Sequence, residues 1–243
     1  MNFSEHRIEW DDAKVSRLWD YYSRTPPYSE VYFSKVYGGR ILQRSELPLH
    51  EPLQVLDFGC GPGFIWDHIL QLHARWQYTA LDFSPDSVAK VRQKAQGHAQ
   101  FKGVYHVTRL PTELAAVQFD AVLLFEVVEH LKDKYLDSTL AEAARLLKPG
   151  GVVVVTTPND EDLSTSTKFC PECGAVFHEW QHVRSWSAGG LTARMKQHRF
   201  ELQMAQTLDF KAQGLLQQGI RLARRLLLGS TSMPHLIAVY QKF

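Results

Sequence analysis

Three residues whose side chains can bind metal or transfer protons fall within five positions of each other: Glu126, Glu129 and His130. Two carboxylates and an imidazole can hold a divalent cation or act as a base toward an acceptor group. If residues 125–131 are helical, spacings of three and four residues place the three side chains on one face. They then predict either a catalytic metal site or a metal-free site with His130 as the base. A structural role is the alternative, in which the carboxylates cap a turn and His130 packs beside them.

A glycine-rich segment, VLDFGCGPG at residues 55–63, begins as an apolar run. Alternate glycines let the backbone pass close to a ligand, and the following helix offers free N–H groups to an anion such as a carboxylate. The spacing differs from the dinucleotide pattern Gly-x-Gly-x-x-Gly. About 20 residues later, Asp82 ends a second apolar run, where a carboxylate can accept hydrogen bonds from ribose hydroxyls. Both a dinucleotide and an adenosyl cofactor satisfy these requirements.

A second group of possible metal ligands lies at Cys170, Cys173 and His178. The Cys-x-x-Cys spacing, followed by Gly174 in a tight turn, suits two corners of a zinc tetrahedron, and His178 or His182 can supply others. A redox pair is the competing use, but the cysteines do not open a helix after a first strand, as a thioredoxin-like motif does. The spacing favours structural zinc over redox chemistry, and unliganded buried cysteines are the remaining alternative.

The elements that position these residues alternate between apolar runs and helical patterns, which is typical of βα units in a parallel sheet. The sequence therefore predicts an α/β fold with a doubly wound, mostly parallel, seven-stranded sheet that ends in an antiparallel strand pair. Strands are predicted at 54–58, 78–83, 105–107, 119–124, 151–156, 200–208 and 235–242. Helices are predicted to begin at Phe64, Pro85, Asp133 and Ser187.

Two domains are expected. Residues 1–50 are rich in tryptophan and tyrosine and predict a helical cap that either covers the mouth of the site or adds to the core. Residues 51–243 form the main domain, with a Cys/His insertion near residues 160–186 and a basic amphipathic insertion near residues 211–230. The basic insertion mixes leucines with three arginines, which predicts core packing, a dimer contact or contact with an anionic membrane surface.

The segments at 55–63 and 81–84, with FDAV at 119–122 and LKPGG at 147–151, resemble the ordered motifs of class I S-adenosylmethionine-dependent methyltransferases. The resemblance covers roughly residues 50–208 and implies a Rossmann-like fold with S-adenosylmethionine as cofactor. Thr108 or Arg109 stands where many members of the family keep an acid for the adenine amino group. The resemblance implies that Asp57, Gly59, Gly61 and Gly63 hold the methionine end, Asp82 the ribose and Phe83 the adenine, with Thr108 and Phe125 completing the cofactor site.

Two subfamilies that this chain resembles use Glu-x-x-Glu-His with metal: ubiquinone-pathway O-methyltransferases and small-RNA 3′-terminal 2′-O-methyltransferases. Both also have a histidine after the fifth strand, and HVRSWS at 182–187 fits that placement. The resemblance implies that His182 joins Glu126, Glu129 and His130 around Mg²⁺ or a similar ion, which lowers the pKa of the acceptor hydroxyl. Because His182 cannot easily serve two sites, zinc binding by His182 would remove it from this one.

Composition limits the partners. The 27 Lys and Arg residues nearly balance 26 Asp and Glu residues, so the whole molecule has no field that attracts nucleic acid. An N-terminal secretory pattern and a long apolar run are both missing, which predicts a cytoplasmic protein, with peripheral contact at the inner membrane surface as an option. The predicted acceptor is a hydroxyl of a small molecule, sugar or lipid-linked intermediate. Arginines and lysines late in the chain keep RNA as the second hypothesis, and a non-catalytic cofactor-binding module is the third.

Overall fold

The computed structural model describes residues 4–210 and 233–243. These residues form six α-helices and ten strands. The helices are α1 (Asp12–Arg24), α2 (Phe33–Arg44), α3 (Phe64–Gln71), α4 (Pro85–Ala95), α5 (Asp133–Leu146) and α6 (Ala188–Lys196). The strands are β1 (His6–Arg7), β2 (Gln54–Phe58), β3 (Gln77–Asp82), β4 (Phe101–His106), β5 (Phe119–Phe125), β6 (Leu147–Pro158), β7 (Thr167–Phe169), β8 (Ala175–His178), β9 (Phe200–Leu208) and β10 (His235–Lys242).

Seven strands form one sheet in the order β4-β3-β2-β5-β6-β10-β9. Strands β2 to β6 run parallel, and β10 is antiparallel to both β6 and β9. The predicted doubly wound α/β sheet and its terminal antiparallel pair are therefore confirmed. The strand order reverses between β2 and β5, and in open α/β sheets ligands bind outside the carboxyl ends of the strands at such a point.

Apolar side chains cover both faces of this sheet, as a buried parallel sheet requires. On one face, Val55 of β2 belongs to a buried cluster with Ile41 of α2, Trp66 of α3 and Val91 of α4. On the other face, the next residue, Leu56, packs in a cluster supplied by α5 and α6. The alternation of neighbouring residues fixes the register of β2, and so fixes where the glycine-rich segment leaves the sheet.

Most element boundaries agree with the sequence prediction, and two strands extend further. Strand β4 begins at Phe101 rather than 105 because its first residues are partly exposed and show no continuous apolar run. Strand β6 begins at Leu147 rather than 151, since Leu147 already pairs with Phe119 before an irregularity in the ladder. Helix α6 begins one residue after Ser187, whose side chain caps it by accepting the N–H of Gly190.

A second, three-stranded sheet has the order β1-β8-β7 and was not predicted. Strands β7 and β8 form an antiparallel hairpin in the Cys/His insertion, and the two residues of β1 pair in parallel with Ala175 and Val176. Helix α1 follows β1 and contacts the same insertion, because the hydroxyl of Tyr22 donates to the backbone oxygen of Glu179 at 2.7 Å. The N-terminal segment is thus joined to the insertion at two places.

Within residues 4–210 and 233–243, no helix combines the length and apolar character needed to cross a bilayer. The predicted basic amphipathic segment, with Arg221, Arg224 and Arg225, lies outside the described residues.

Candidate active site

A cavity of about 1690 Å³ opens at the carboxyl ends of the central strands. Its floor is formed by the residues that follow β2, β3, β4 and β5, and its walls come from the N-terminal segment and from the loop after β6. This is the crevice that the reversal of strand order creates. All the side chains predicted to act on an acceptor, except the buried Glu129, contribute to its lining.

The glycine-rich loop leaves β2 along the cavity floor. Gly59 has φ of +85°, and a Cβ there would lie 2.7 Å from Cγ2 of Val127, so a larger residue cannot fit. Gly61 has φ of +51°, and no described atom lies within 4 Å of the position its Cβ would take. Its open side is on the cavity, where a ligand can approach the backbone. Gly63, the residue before α3, is packed against Val91 instead.

Asp57 lies beneath this loop. It is only 2% exposed and accepts a hydrogen bond from the hydroxyl of Tyr78 at 2.7 Å. Burial raises the pKa of Asp57 to about 7. The side chain does not line the cavity, so the structure places it as a support of the loop rather than at the surface that the resemblance implied.

Asp82 ends β3 at the cavity. Its Oδ2 accepts the N–H of Gly61 and its Oδ1 the N–H of Ser84, both at 2.8 Å. Burial raises the pKa of Asp82 to about 6, although these two N–H donors oppose the rise. The next residue, Phe83, is 44% exposed and also lines the cavity, as do Thr108, Arg109 and Phe125. The carboxylate and the aromatic ring are therefore available on the cavity side.

Residues 126–130 form a turn, so the helical arrangement considered for Glu126, Glu129 and His130 is wrong. Glu126 adopts φ of +55°, in the left-handed region, and its N–H donates to the backbone oxygen of Thr156 at 3.0 Å. The N–H of His130 then donates to the oxygen of Val127 at 3.1 Å. The left-handed residue and the tight turn bring the side chains together without a helix.

Glu129, His130 and His182 converge in space. One oxygen or nitrogen atom from each lies within 4.8 Å of the others, and we call these three residues the His–Glu group. Oε1 of Glu129 lies 3.6 Å from Nε2 of His130, and the two imidazole centroids are 4.9 Å apart. Glu126, the fourth predicted ligand, lines the cavity beside them but lies outside this group.

Several atoms here are buried and make no hydrogen bond to any described residue: Oε1 of Glu126, both carboxylate oxygens of Glu129 and Nδ1 of His130. Burial raises the pKa of Glu126 to about 7, and burial followed by the nearby Glu126 raises that of Glu129 further. Buried unpaired polar atoms are costly and rare in folded proteins. Carboxylate oxygens and imidazole nitrogens are suitable ligands for a divalent cation, so the donor set fits one.

His130 does not suit the metal-free role of a base that works near neutral pH. Burial, followed by the nearby His182, lowers the pKa of His130 to about 3. Its imidazole is therefore neutral at physiological pH and is a weak base. A neutral imidazole keeps a lone pair that can bind a cation.

The structure does not bring the four residues predicted to bind zinc into one group: His178 and His182 lie together, but neither Cys170 nor Cys173 joins them, which corrects that prediction. Cys170 and Cys173 lie in the turn between β7 and β8, and within the described chain neither joins a group of three metal-binding side chains. His178 is buried, and its Nδ1 accepts the N–H groups of Trp180 and His182. The hairpin therefore directs His178 inward and leaves Cys173 exposed at the turn.

Glu161 was not identified from the sequence. Its Oε2 lies 2.5 Å from Nδ1 of His182, and its Oε1 lies 3.4 Å from Nε2 of His178. Burial opposes ionisation, but the contacts with His178 and His182 lower the pKa of Glu161 to about 2. The sequence did offer one indication of a role for Glu161: it lies just beyond β6, at the same end of the sheet as the other site residues. The adjacent Asp160 and Asp162 hid that signal within an acidic loop.

Helix α1 covers the His–Glu group. The indole N–H of Trp19 donates to Oε1 of Gln181 at 3.3 Å, and Nε2 of Gln181 donates to the backbone oxygen of His130 at 3.1 Å. Further aromatic rings from the N-terminal segment and the insertion line the same wall, among them Trp10, Tyr32, Phe33, Tyr37 and Trp180. The acceptor side of the cavity is therefore strongly aromatic.

The charged residues that line the cavity are mostly acidic. The acidic ones are Asp11, Asp12, Asp82, Glu126, Asp160, Glu161 and Asp162, and the basic ones are Arg109, Lys132 and Lys134. Two arginines that suggested a nucleic-acid surface are paired elsewhere: Arg184 donates to Asp133, and Arg194 donates to Asp137. Within the described residues, the cavity therefore has no excess of basic groups.

Residues 56–153 match the family described as Methyltransferase domain. A protein of Xanthomonas oryzae pv. oryzae (strain PXO99A) named ubiquinone biosynthesis O-methyltransferase is 37% identical over 161 residues, covering 65% of this chain and 63% of that protein. One with the same name from Bradyrhizobium sp. (strain ORS 278) is 36% identical over 108 residues, covering 44% of this chain and 40% of that protein. The chain therefore spans less than two thirds of the length of these relatives.

The fold is also similar to that of a solved structure, a Burkholderia thailandensis 1,6-didemethyltoxoflavin-N1-methyltransferase with bound 1,6-didemethyltoxoflavin and S-adenosylhomocysteine. The TM-score is 0.63 at 16% identity, and the match covers 98% of this chain and 93% of that one. At this identity the likeness supports the fold.

Proposed function

We propose that this chain is a class I S-adenosylmethionine-dependent methyltransferase and that it methylates a hydroxyl oxygen of an uncharged, largely apolar small molecule. The observation that carries the proposal is the His–Glu group, whose buried carboxylate and imidazole atoms lack partners at the acceptor end of the cavity. Such a group suits an acceptor that must lose a proton, as a hydroxyl does.

The cofactor half of the proposed site rests on the glycine-rich loop after β2 and on the carboxyl end of β3. Gly61 leaves space for the methionine end of S-adenosylmethionine, Gly59 lines the cavity beside it, and Asp82 would accept hydrogen bonds from the ribose hydroxyls. The sulfonium methyl is already an electrophile, so the residues around it chiefly align the acceptor oxygen and exclude water. In the transfer, the acceptor oxygen forms the bond to the methyl carbon while the carbon–sulfur bond breaks, and S-adenosylhomocysteine leaves as a thioether.

The acceptor half handles the hydroxyl proton. Glu129, His130 and His182 would hold a divalent cation, with Glu126 on the same wall. When bound, a divalent cation lowers the pKa of a hydroxyl directed at it, so that the oxygen reacts as the alkoxide or phenolate. The imidazoles of His130 and His182 would each offer a nitrogen lone pair to the cation, and the carboxylate of Glu129 would offset its positive charge.

The lining of the cavity supports the choice of acceptor. Seven acidic and three basic side chains face it, which opposes a polyanion such as RNA and leaves uncharged acceptors favoured. Aromatic rings from residues 1–50, which we propose act as a cap over the acceptor, suit an aromatic or isoprenoid body. The names of the two relatives, ubiquinone biosynthesis O-methyltransferase, favour the same chemistry.

Purified protein, methyl-labelled S-adenosylmethionine and an extract of the native cell provide the test. After the reaction, RNA, glycan, lipid and small-molecule fractions are separated and counted. Label in a lipid or small-molecule fraction is the expected result, and the Glu129→Gln variant should lose it while still binding the cofactor. Label confined to RNA would replace this proposal with terminal-ribose methylation. A variant that keeps the cellular role without any label would indicate a non-catalytic module.

A further inference from the structure

Glu161 lies between two histidines whose rings are stacked. The rings of His178 and His182 are 4.5 Å apart at the centroids and inclined by 21°. One carboxylate oxygen of Glu161 is bonded to His182, and the other faces His178. Of these three residues, only His182 belongs to the His–Glu group.

The proton positions on His178 follow from its neighbours. Its Nδ1 lies 3.3 Å from the backbone nitrogen of Trp180 and 3.2 Å from that of His182, and both of these nitrogens donate. Nδ1 must therefore be the unprotonated nitrogen, and in the neutral ring Nε2 carries the proton. That N–H faces Oε1 of Glu161 at 3.4 Å, a longer electrostatic contact.

The same reasoning assigns His182. An ionised carboxylate only accepts hydrogen bonds, so Nδ1 of His182 must donate to Glu161. In the neutral ring, Nε2 then keeps its lone pair. This nitrogen is the one free to act within the group formed with Glu129 and His130.

These assignments also show why Glu161, His178 and His182 do not form a second cation site, although their atoms lie within 4.8 Å of each other. A cation at Nε2 of His178 would displace its proton to Nδ1, where two backbone N–H groups already point. The three residues are therefore arranged as a hydrogen-bonding support.

We propose that Glu161 is a positioning residue that holds His182 as the Nδ1–H tautomer, with Nε2 directed at the His–Glu group, and that His178 anchors Glu161. The expected effect on cation binding rests on the proposed function, because Nε2 of His182 is the atom that would hold the cation. Histidine ligands commonly donate their second nitrogen to a carboxylate in this way, and loss of such a partner typically weakens metal binding about 10–100-fold.

The first test reads the tautomer directly, without metal or substrate. Protein labelled with ¹⁵N-histidine is compared by long-range ¹H–¹⁵N NMR, and the His182→Asn variant assigns the signal of His182. We expect the Nδ1–H pattern in the wild type and a mixture of tautomers in Glu161→Gln, whose size is unchanged. If His182 keeps the Nδ1–H pattern in Glu161→Gln and Glu161→Ala, the proposal is wrong.

The second test measures Mn²⁺ affinity by electron paramagnetic resonance. Glu161→Gln should bind Mn²⁺ about 10–100-fold more weakly than the wild type. Asp137→Asn is the matched control, because Asp137 contacts His198 at 2.8 Å in a similar pair outside the cavity. It should leave the affinity unchanged. Unchanged affinity in Glu161→Gln would contradict the inference, whereas a wild type that binds no Mn²⁺ but shows the expected tautomer would contradict the proposed cation and leave the positioning role in place.

Discussion

The indole of Trp19 meets the imidazole of His130 edge to face, with ring centroids 5.0 Å apart and an interplanar angle of 81°. Trp19 belongs to α1, and His130 lies in the turn after β5. The N-terminal helix is thereby in direct contact with the residues proposed to activate the acceptor. Because this contact joins the proposed cap to the proposed site, residues of the cap should affect turnover as well as stability.

Replacing Trp19 with alanine should reduce kcat/KM for the acceptor about tenfold or more, because the wall beside His130 is lost and water can enter. Trp19→Phe keeps a ring but loses the N–H that bonds Gln181, so it should be intermediate. Steady-state kinetics and S-adenosylmethionine titration calorimetry check this. Tyr21→Ala, on the same helix but outside the cavity lining, should behave as the wild type. Equal losses in Trp19→Ala and Tyr21→Ala would indicate general destabilisation.

Gly61→Ala should weaken S-adenosylmethionine binding about tenfold or more, an increase in Kd measurable by calorimetry. The added Cβ meets no described protein atom and must occupy cavity space, and the left-handed φ costs about 1–2 kcal/mol of stability. Gly97→Ala is the control, because Gly97 also has positive φ and open surroundings but does not line the cavity. Both variants should lose similar stability, and only Gly61→Ala should lose affinity. Equal affinity in the two variants would remove the loop from the cofactor site.

The ligand-free protein should become less stable as pH rises from about 4 to about 7 through the titration of Asp57. Burial raises its pKa to about 7 from an ordinary value of 3.8, so the folded state binds the proton more tightly than the unfolded state. The contribution of Asp57 to stability is then fully present below about pH 4, and its loss by neutral pH is on the order of a few kcal/mol. Asp57→Asn keeps an acceptor for Tyr78 and should make the fall in stability with pH less steep in urea unfolding, with the remainder due to other buried carboxyls such as Asp82. Parallel pH profiles in the two proteins would contradict the assignment.

His182→Asn should lower turnover about a hundredfold and weaken Mn²⁺ binding, since one of the three converging ligands is removed. Chelation of the wild type should abolish turnover, and added Mg²⁺ or Mn²⁺ should restore it. The double variant Cys170→Ser and Cys173→Ser should keep both properties, because neither cysteine joins the His–Glu group. Loss of Mn²⁺ binding in the cysteine variant would show that the insertion supplies a metal ligand after all.

The central part of the sheet could be predicted closely because strands such as β5 and β6 contain continuous apolar runs. Strand β2 and the terminal strands β9 and β10 have the predicted ends. The hairpin β7–β8 was missed because three- and four-residue strands are too short for a periodic pattern. Its hydrogen bonds to β1 join residues that are far apart in the chain, which spacing alone does not show.

The sequence identified most of the candidate site residues but not their arrangement in space. The spacing of the three side chains suggested a helix at residues 125–131. In the structure, the N–H of Glu126 donates to the backbone oxygen of Thr156 in the neighbouring strand, and Glu126 adopts a left-handed conformation that begins a turn. Nearness in sequence linked His178 to Cys173, whereas the fold turns His178 toward Glu161. The pair Glu161 and His182 closes a loop of 21 residues, and such a contact depends on the folded chain.

The acidic lining of the cavity also has an expected consequence for the end of the proposed reaction. S-adenosylmethionine carries a positive sulfonium, and methyl transfer converts it to a neutral thioether. With seven acidic and three basic side chains lining the cavity, we expect the positively charged cofactor to be attracted more strongly than its product. Added salt should reduce the preference for the charged cofactor, because cofactor and product differ by one positive charge and salt screens its attraction to the acidic lining.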